Sequence, residues 1–529
     1  MELEDYQKEE LENHIYKKPD TYIGGSDLIE EYLPIYLSQD NSIQFKNGLY
    51  IPGIYNIYNE ILVNARDQGV RIKQRSSKKD IQQTEIKIEI DEKTGRISIY
   101  NNGTGVDIAK HPTVVDEEGN QLWIPSMIFG ELLTSGNYND NEKKIVGGKN
   151  GYGAKLTNIF STEFEVKTVD HTRKKKFIQK FSNNMKIKEK PKITNSNSKP
   201  YTKITWITDF NRFGIDNYSP YMLQLMIRRV YDIAGITDKS VSVYLNNKKI
   251  KINNFMDYSK MYLTTDDSLV YEEIHERWRL GVSVSKTDKF EQISFVNGIA
   301  TPKGGKHVDY ITKKLLLGIQ KMIEKKHKKK IQENYIKNYL RIFIDTIIEN
   351  PSFDSQTKER LITPQSKFGS KPEINDKFLK KIIDKTDIVD KVIQFSDFKL
   401  NKENKKTDGS KKSKLRDIPK LDDANWAGGK KSNECILILT EGDSAKSMAV
   451  AGLSVVGRDK YGVFPLKGKV MNVKDASPKQ IMNNSEITNL KKIIGLETGR
   501  EYKNTKPLRY GKIMIMTDQD HDGSHIKGL

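Results

Sequence analysis

The stretch NIYNEILVNARDQ, residues 56–68, follows Pro52 and Gly53 and repeats Ile57, Ile61, Leu62 and Ala65 at helical spacing. That pattern predicts a helix with one face packed on a core. Glu60 and Asn64 stand at i and i+4 on another face, so their side chains converge on one volume. Taken alone, the segment is best explained as a solvated Glu–Asn pair. Three later segments change the balance. After the strand-like RISIY comes NNGTGV, residues 101–106, where Gly103 and Gly105 permit a tight turn close to a ligand. LLTSGN occupies residues 132–137. GGKNGYGAK, residues 147–155, is a glycine-rich loop whose amides can cradle phosphates, leading into a helix that starts near Ala154. Gly148 and Gly153 have the spacing of a Walker A motif. Ala154 interrupts its Gly-Lys pair, however, and Leu156 replaces the hydroxyl residue that would bind Mg²⁺, which argues against a P-loop.

Composition narrows the partner. The 529 residues are enough for about three or four ordinary domains. Lys plus Arg outnumber Asp plus Glu by 89 to 70, a net charge of +19, which favours a polyanionic partner. The opening MELEDYQKEELENH is acidic and polar, unlike a signal peptide, and no apolar stretch approaches the roughly 18 residues of a membrane span. Nucleic acid is therefore expected over a membrane. The single cysteine, Cys435, opens the apolar run CILIL; it excludes disulfides within the chain and Cys-based zinc sites, and fits a packing role in a reducing compartment.

Along the chain, mixed helices and strands run to about residue 250, and a second α/β stretch to about 398. KLNKENKKTDGSKKSKLRDIPK, residues 399–420, is a lysine-rich run that reads as a solvated linker or strap. A third unit starts near Ser432 and holds two apolar strands. CILIL is followed by TEGDSAK and KIMIM by TDQDHDG. D-x-D-x-D-G matches the first half of a calcium-binding EF-hand loop, but the twelfth position is Leu529 instead of Glu, and KIMIM is strand-like. If the two strands lie parallel and side by side, their carboxyl ends bring Glu441 and Asp443 towards Asp518, Asp520 and Asp522. Such an oxygen cluster suits Mg²⁺ and phosphodiester transfer. KIMIM is expected to be buried.

The order of these segments carries a resemblance. E-x-x-x-N, N-x-G-x-G and a later glycine-rich lid resemble the GHKL ATPases. EGDSAK, DQDHDGSHIKGL, GRDKYGVFPLKGKVMNV (457–473) and IPKLDDANWAGGK (418–430) resemble the TOPRIM region of type IIA DNA topoisomerases of the eukaryotic and large-DNA-virus branch. VNGIATPKGGKHVDYI (296–311) and NPSFDSQTKE (350–359) look like that family's transducer domain, and KKPDTYIGG (17–25) like its N-terminal strap. The fold implied is α/β and α+β multidomain. A strap and GHKL ATPase sandwich would span 1–250, a ribosomal-S5-like transducer 251–398, a basic linker 399–431 and a partial TOPRIM α/β domain 432–529.

By this resemblance Glu60 is the general base and Asn64 the Mg²⁺ ligand. Asn101 faces adenine, Ser135, Gly136 and Asn137 approach ribose and phosphates, and the lid from Gly148 to Lys155 (Lys149, Asn150, Gly151, Tyr152, Gly153 and Ala154 between) covers the triphosphate. Gln356, Thr357 and Lys358 reach back from the transducer, with Lys358 sensing the γ-phosphate, and Tyr22 enters the partner protomer's ATP site. Glu441, Asp518 and Asp520, with Asp522 as a further candidate, hold the metal of strand cleavage, and Glu441 also serves proton transfer. Lys325, Lys326, Lys328, Lys329 and Lys330, with Lys467 and Lys469, meet DNA.

The implied activity is ATP-dependent passage of one duplex through another. The implied cofactors are ATP and Mg²⁺, and the implied partners double-stranded DNA and a second copy joined through the ATPase domain. The nucleophilic tyrosine of cleavage is expected on a C-terminal region or a separate subunit, since no tyrosine here sits in a matching context. The site of action would be intracellular, in the nucleus or wherever DNA is replicated, the cytoplasm for a viral or phage enzyme. The other reading is a non-cleaving, ATP-gated DNA clamp of the GHKL/MutL type.

Overall fold

The computed structural model describes residues 9–75, 77–116, 118–134, 143–148, 151–412, 414–415, 417–474, 476 and 478–529. They divide into two compact units, 1–389 and 390–529.

In the first unit a nine-stranded sheet runs in the order Lys192–Asn195, Lys175–Ser182, Ser161–Asp170, Tyr201–Thr208, Arg96–Asn102, Glu85–Asp91, Ser242–Leu245 and Lys248–Lys249, with Ile187–Lys188 paired to Lys175–Ser182. Its pairings are antiparallel except Ser242–Leu245 with Glu85–Asp91. Alternation sets its two faces: Ile86, Ile88 and Ile90 are buried, while Glu85, Lys87 and Glu89 turn outward. Across the buried face lie the helices Pro52–Arg75 and Pro220–Ile236, joined where Tyr58 donates its hydroxyl to the Met226 carbonyl. The expected helix is thus present and longer than its quoted core. Ile57, Ile61, Leu62 and Ala65 are all buried, and Pro52 stands at its start, where a missing amide costs nothing.

A five-stranded sheet follows in the order Val270–His275, Trp278–Val284, Leu340–Thr346, Glu291–Val296 and Ile299–Ala300. The strands Glu291–Val296 and Leu340–Thr346 are parallel, which requires a crossover; the chain between them includes the helix Lys306–His327. One hydrophobic cluster runs from the first sheet and its helices to Ile293, Phe295 and Phe343 of the second, so the two halves of this unit share a core.

In the second unit a parallel sheet runs Tyr461–Pro465, Ile436–Thr440, Lys512–Met516, so CILIL and KIMIM are indeed parallel neighbours. Cys435 is buried among Leu437, Leu439 and Phe464. Two expectations need correction. KIMIM is not buried: it forms one of the sheet's two outer strands, and Ile513, Met514 and Ile515 are exposed. The lysine-rich stretch 399–420 is not uniformly solvated. It opens in the helix Ile388–Lys406, and its Ile418 enters the core with Cys435, as do Ala424 and Ala427 just after it. The anchor is polar. Arg509, fully buried, donates to the Lys412 carbonyl at 2.8 Å and pairs with Asp423, which also accepts from the Tyr510 hydroxyl. The lysines around them concealed these few fixing residues. Among the described residues no helix is long and apolar enough to cross a membrane.

Candidate nucleotide and metal sites

A cavity of about 680 Å³ opens between the helix Pro52–Arg75, the glycine-rich loop and the loop after Pro351, within the ~300–1,000 Å³ range of small-molecule sites. Glu60, Asn64, Asn101, Gly148, Gly151, Tyr152, Gly153, Ala154, Lys155, Gln356 and Lys358 all line it. Sequence positions almost 300 apart therefore meet at one place.

The polar end is organised by an ion pair. Lys358 Nζ donates to Glu60 Oε1 at 2.7 Å, with the two side chains only 10% and 17% exposed. Lys358 lies in a left-handed turn (φ 60°), its amide donating to the Ser355 carbonyl, and this turn aims the side chain across to the helix. The lack of a side chain opposite leaves Glu60 its place: a Cβ on Gly153 would sit 2.2 Å from Glu60 Oε2 and displace the carboxylate. Asn64, one helical turn beyond Glu60, lines the same wall, and among the described residues its side chain makes no hydrogen bond to protein. The other end is apolar, floored by Ile61, Ala65, Ile99, Val106, Phe129 and Ile204, with Asn101 buried among them.

Lys155 is buried and staples two loops, donating at 2.6 Å to the carbonyls of both Thr134 and Gly151. Burial pushes its ammonium down to about 8. The short helix Gly153–Ile159 begins within a residue of the expected start. Ser135, Gly136, Asn137, Lys149 and Asn150 lie outside the described residues. Thr357 and Tyr22 do not line this cavity. Both line a smaller one beside it, and the Tyr22 ring lies 6.2 Å from that of Tyr152 in the same chain. Sequence reasoning missed Asp67, fully buried at the next matching position of the Glu60–Asn64 face. Its only signal was an acid placed seven residues after Glu60.

In the second unit, the parallel register of Thr440 with Met516 brings Glu441 beside the end of KIMIM, and the Asp518 amide donates to Glu441 Oε2 at 3.3 Å. The expected cluster of carboxylates is looser than the sequence implied. Asp520 caps the helix His521–Gly528 by accepting from the Gly523 amide. Asp522 is drawn to Lys469 at 2.8 Å and Asp443 to Lys420 at 2.6 Å, and these lysines hold both carboxyls below their usual range. Among the described residues no three acidic, histidine or cysteine side chains stand close enough together to hold a metal ion. Mg²⁺ commonly takes only one or two carboxylates and completes its shell with water and phosphate, so a cluster of three is not needed for it. Lys467 is exposed, as are Lys325, Lys326, Lys328, Lys329 and Lys330 at and beyond the end of the helix Lys306–His327.

These features define a GHKL-type ATPase region followed by a TOPRIM unit, and comparison with known proteins agrees. The DNA gyrase B family matches residues 240–412 and the Toprim domain residues 436–528. DNA topoisomerase 2 of Arabidopsis thaliana is 49% identical over 99% of the chain, and that of Acanthamoeba polyphaga mimivirus 46% identical over 99%. The crystal structure of the ATPase region of Saccharomyces cerevisiae topoisomerase II is 42% identical, with a TM-score of 0.68, covering 75% of this chain and 99% of that one. The chain belongs to the type II DNA topoisomerase family, to its N-terminal ATPase and Toprim part. It spans 35% of the Arabidopsis protein and 41% of the mimivirus one.

Proposed function

We propose that this chain supplies the ATP-hydrolysing clamp and part of the metal site of an ATP-dependent type II topoisomerase, which passes one DNA duplex through a transient break in another. The observation that carries this reading is the Glu60–Lys358 pair at the polar end of the cavity. In this family the ATPase region takes ATP with Mg²⁺, and Toprim takes Mg²⁺. Adenine fits the apolar floor, with Asn101 the polar group available to its edge, and the triphosphate extends towards Glu60, Asn64 and the glycine-rich loop. Asn64 is the residue for the nucleotide's Mg²⁺, and the divalent cation supplies charge stabilisation on the phosphates when bound.

Glu60 accepts the proton of the attacking water. Lys358 holds it by one of three ammonium donors, leaving the others for a terminal phosphate oxygen. A lysine that meets only that phosphate distinguishes ATP from ADP, so hydrolysis changes the contact between the ATPase part, to about residue 250, and the transducer part from 251. Closure of two copies, with Tyr22 reaching the partner's site, makes nucleotide binding and clamp closure one event. The surface residues Lys325, Lys326, Lys328, Lys329 and Lys330, with Lys467 and Lys469, serve duplex DNA inside the cell, and Glu441 with Asp518 serves cleavage by a tyrosine supplied from outside these residues.

The Toprim match weighs against a non-cleaving clamp of the MutL type. The test is ATP turnover by the purified chain and by Glu60→Gln. Hydrolysis should fall by about two orders of magnitude or more, the usual worth of a general base, with nucleotide binding retained. Undiminished turnover in Glu60→Gln would exclude this assignment.

A further inference from the structure

The helix that presents Glu60 and Asn64 presents a third side chain on the same side, and the mechanism above gives it no part. Asp67 is fully buried, and its Oδ2 accepts from the amides of Gly147 (2.8 Å) and Gly148 (3.0 Å), the first residues of the glycine-rich loop. Arg66 lies at 3.4 Å from Oδ1. Burial pushes the Asp67 carboxyl up from its usual range, while Arg66, Arg71 and the two amides pull the other way. A buried acid is costly to retain for packing alone. Here both hydrogen bonds of Oδ2 go to one place, the loop that borders the polar end of the cavity, while Oδ1 accepts from Arg66.

The same stem is held from the opposite side. The Lys144 amide donates to Asn350 Oδ1 at 3.1 Å, and the Asn350 amide donates back to the Lys144 carbonyl at 2.9 Å. Asn297, also fully buried, donates to the carbonyls of Ile348 (2.9 Å) and Val146 (3.4 Å) and accepts from the Ile348 amide. Between these clamps there is no room: a Cβ on Gly147 would meet Ile299 at 2.9 Å and Val63 at 3.0 Å. Residues 143–148 are thus seated between the Glu60 helix and the second sheet, next to the turn that carries Lys358.

We propose that Asp67 is a positioning residue for the phosphate end of the cavity, acting through the Gly147 and Gly148 amides, with Asn350 holding the same stem from the loop that follows the second sheet's strand Leu340–Thr346. Asp67 acts on the reaction by fixing the loop, without touching nucleotide. This rests on the ATPase reading of the cavity. Its logic is geometric. One rigid helix face sets water activation at Glu60, metal binding at Asn64 and loop placement at Asp67 in a single register, and the segment after the second sheet's strand Leu340–Thr346 senses the glycine-rich loop through Asn350 as well as the terminal phosphate through Lys358.

The experiment compares the parent chain, Asp67→Ala, Asp67→Asn and Asn350→Ala by steady-state ATP hydrolysis, and by hydrogen exchange of the peptide containing Gly147 and Gly148. Asp67→Ala is expected to speed exchange there and to raise KM for ATP about 10-fold with kcat little changed, the scale set by leaving buried amides without an acceptor. Asp67→Asn, which keeps an acceptor oxygen of the same shape, should restore most of both. A purely structural role predicts a fall in kcat through loss of active protein at unchanged KM, and that result overturns the proposal. Should Asp67→Ala not fold, Asn350→Ala, a truncation at an exposed position, decides: it must raise KM and exchange in the same direction, and unchanged values of both refute the idea. A parent that fails to hydrolyse ATP overturns the ATPase reading itself, whereas a parent that hydrolyses ATP beside an Asp67→Ala protein of equal KM overturns this proposal alone.

Discussion

Replacing Lys358 with Met tests the centre of the site in two ways. The Lys358–Glu60 pair is 2.7 Å long, with side-chain exposures of 10% and 17%, so it lies between two regimes. Breaking a fully buried pair costs about 3–5 kcal/mol because one charge is left without a partner. A fully exposed pair is worth about 0–1 kcal/mol. Residual solvent access at both ends places this pair at about 2 kcal/mol of mutual coupling. A double-mutant cycle of Glu60→Gln, Lys358→Met and the combined protein isolates that term from the loss of each side chain alone. Calorimetric unfolding of the four proteins supplies the stabilities. Each single substitution should destabilise the first unit, and the double substitution should cost less than their sum by about 2 kcal/mol. Lys358→Met should also abolish most ATP turnover while leaving ADP affinity near the parent value. Coupling under about 0.5 kcal/mol, or equal losses of ATP and ADP binding, would refute the argument that these two side chains work as a unit.

Three further outcomes are expected. Asp423→Ala deprives the fully buried Arg509 of its carboxylate, and should destabilise the second unit by about 3 kcal/mol in denaturant unfolding while leaving ATP hydrolysis intact. Lys155 has a folded pKa near 8 against 10.5 when exposed, so the unfolded chain binds the extra proton between those values. Stability contributed at this position therefore rises with pH across that window, and the difference in unfolding free energy between the parent and Lys155→Met should grow by on the order of 2–3 kcal/mol from pH 8 to 10.5. Changing Lys325, Lys326, Lys328, Lys329 and Lys330 to Gln should weaken duplex DNA binding irrespective of sequence and reduce the slope of log K against log salt by about 3–4, measured by anisotropy titrations at several salt concentrations.

The sequence was most legible where spacing alone dictates geometry. Ile57, Ile61, Leu62 and Ala65 gave the helix that bears Glu60 and Asn64, and the apolar runs CILIL and KIMIM gave two parallel neighbours ending at Glu441 and Asp518. What escaped it depends on contacts between distant segments. Nothing local marks Asp67 as an acceptor for Gly147 and Gly148, because the partner amides lie 80 and 81 positions away. Nor could counting carboxylates show that Asp520 is spent on a helix cap and that Asp522 and Asp443 are drawn off by lysines. The exposure of Ile513, Met514 and Ile515 was hidden for a similar reason: an apolar run predicts a strand, but not what covers it, and of the sheet's two edge strands Tyr461–Pro465 is mostly buried while Lys512–Met516 is mostly exposed.

The ion pair at the heart of the cavity joins residues 298 positions apart. On the proposed reading, a chain still being made cannot complete that centre until Lys358 has emerged and docked against the helix Pro52–Arg75. Truncated or half-folded products would accordingly squander little nucleotide, because the fold itself withholds the complete machinery until both halves are in place.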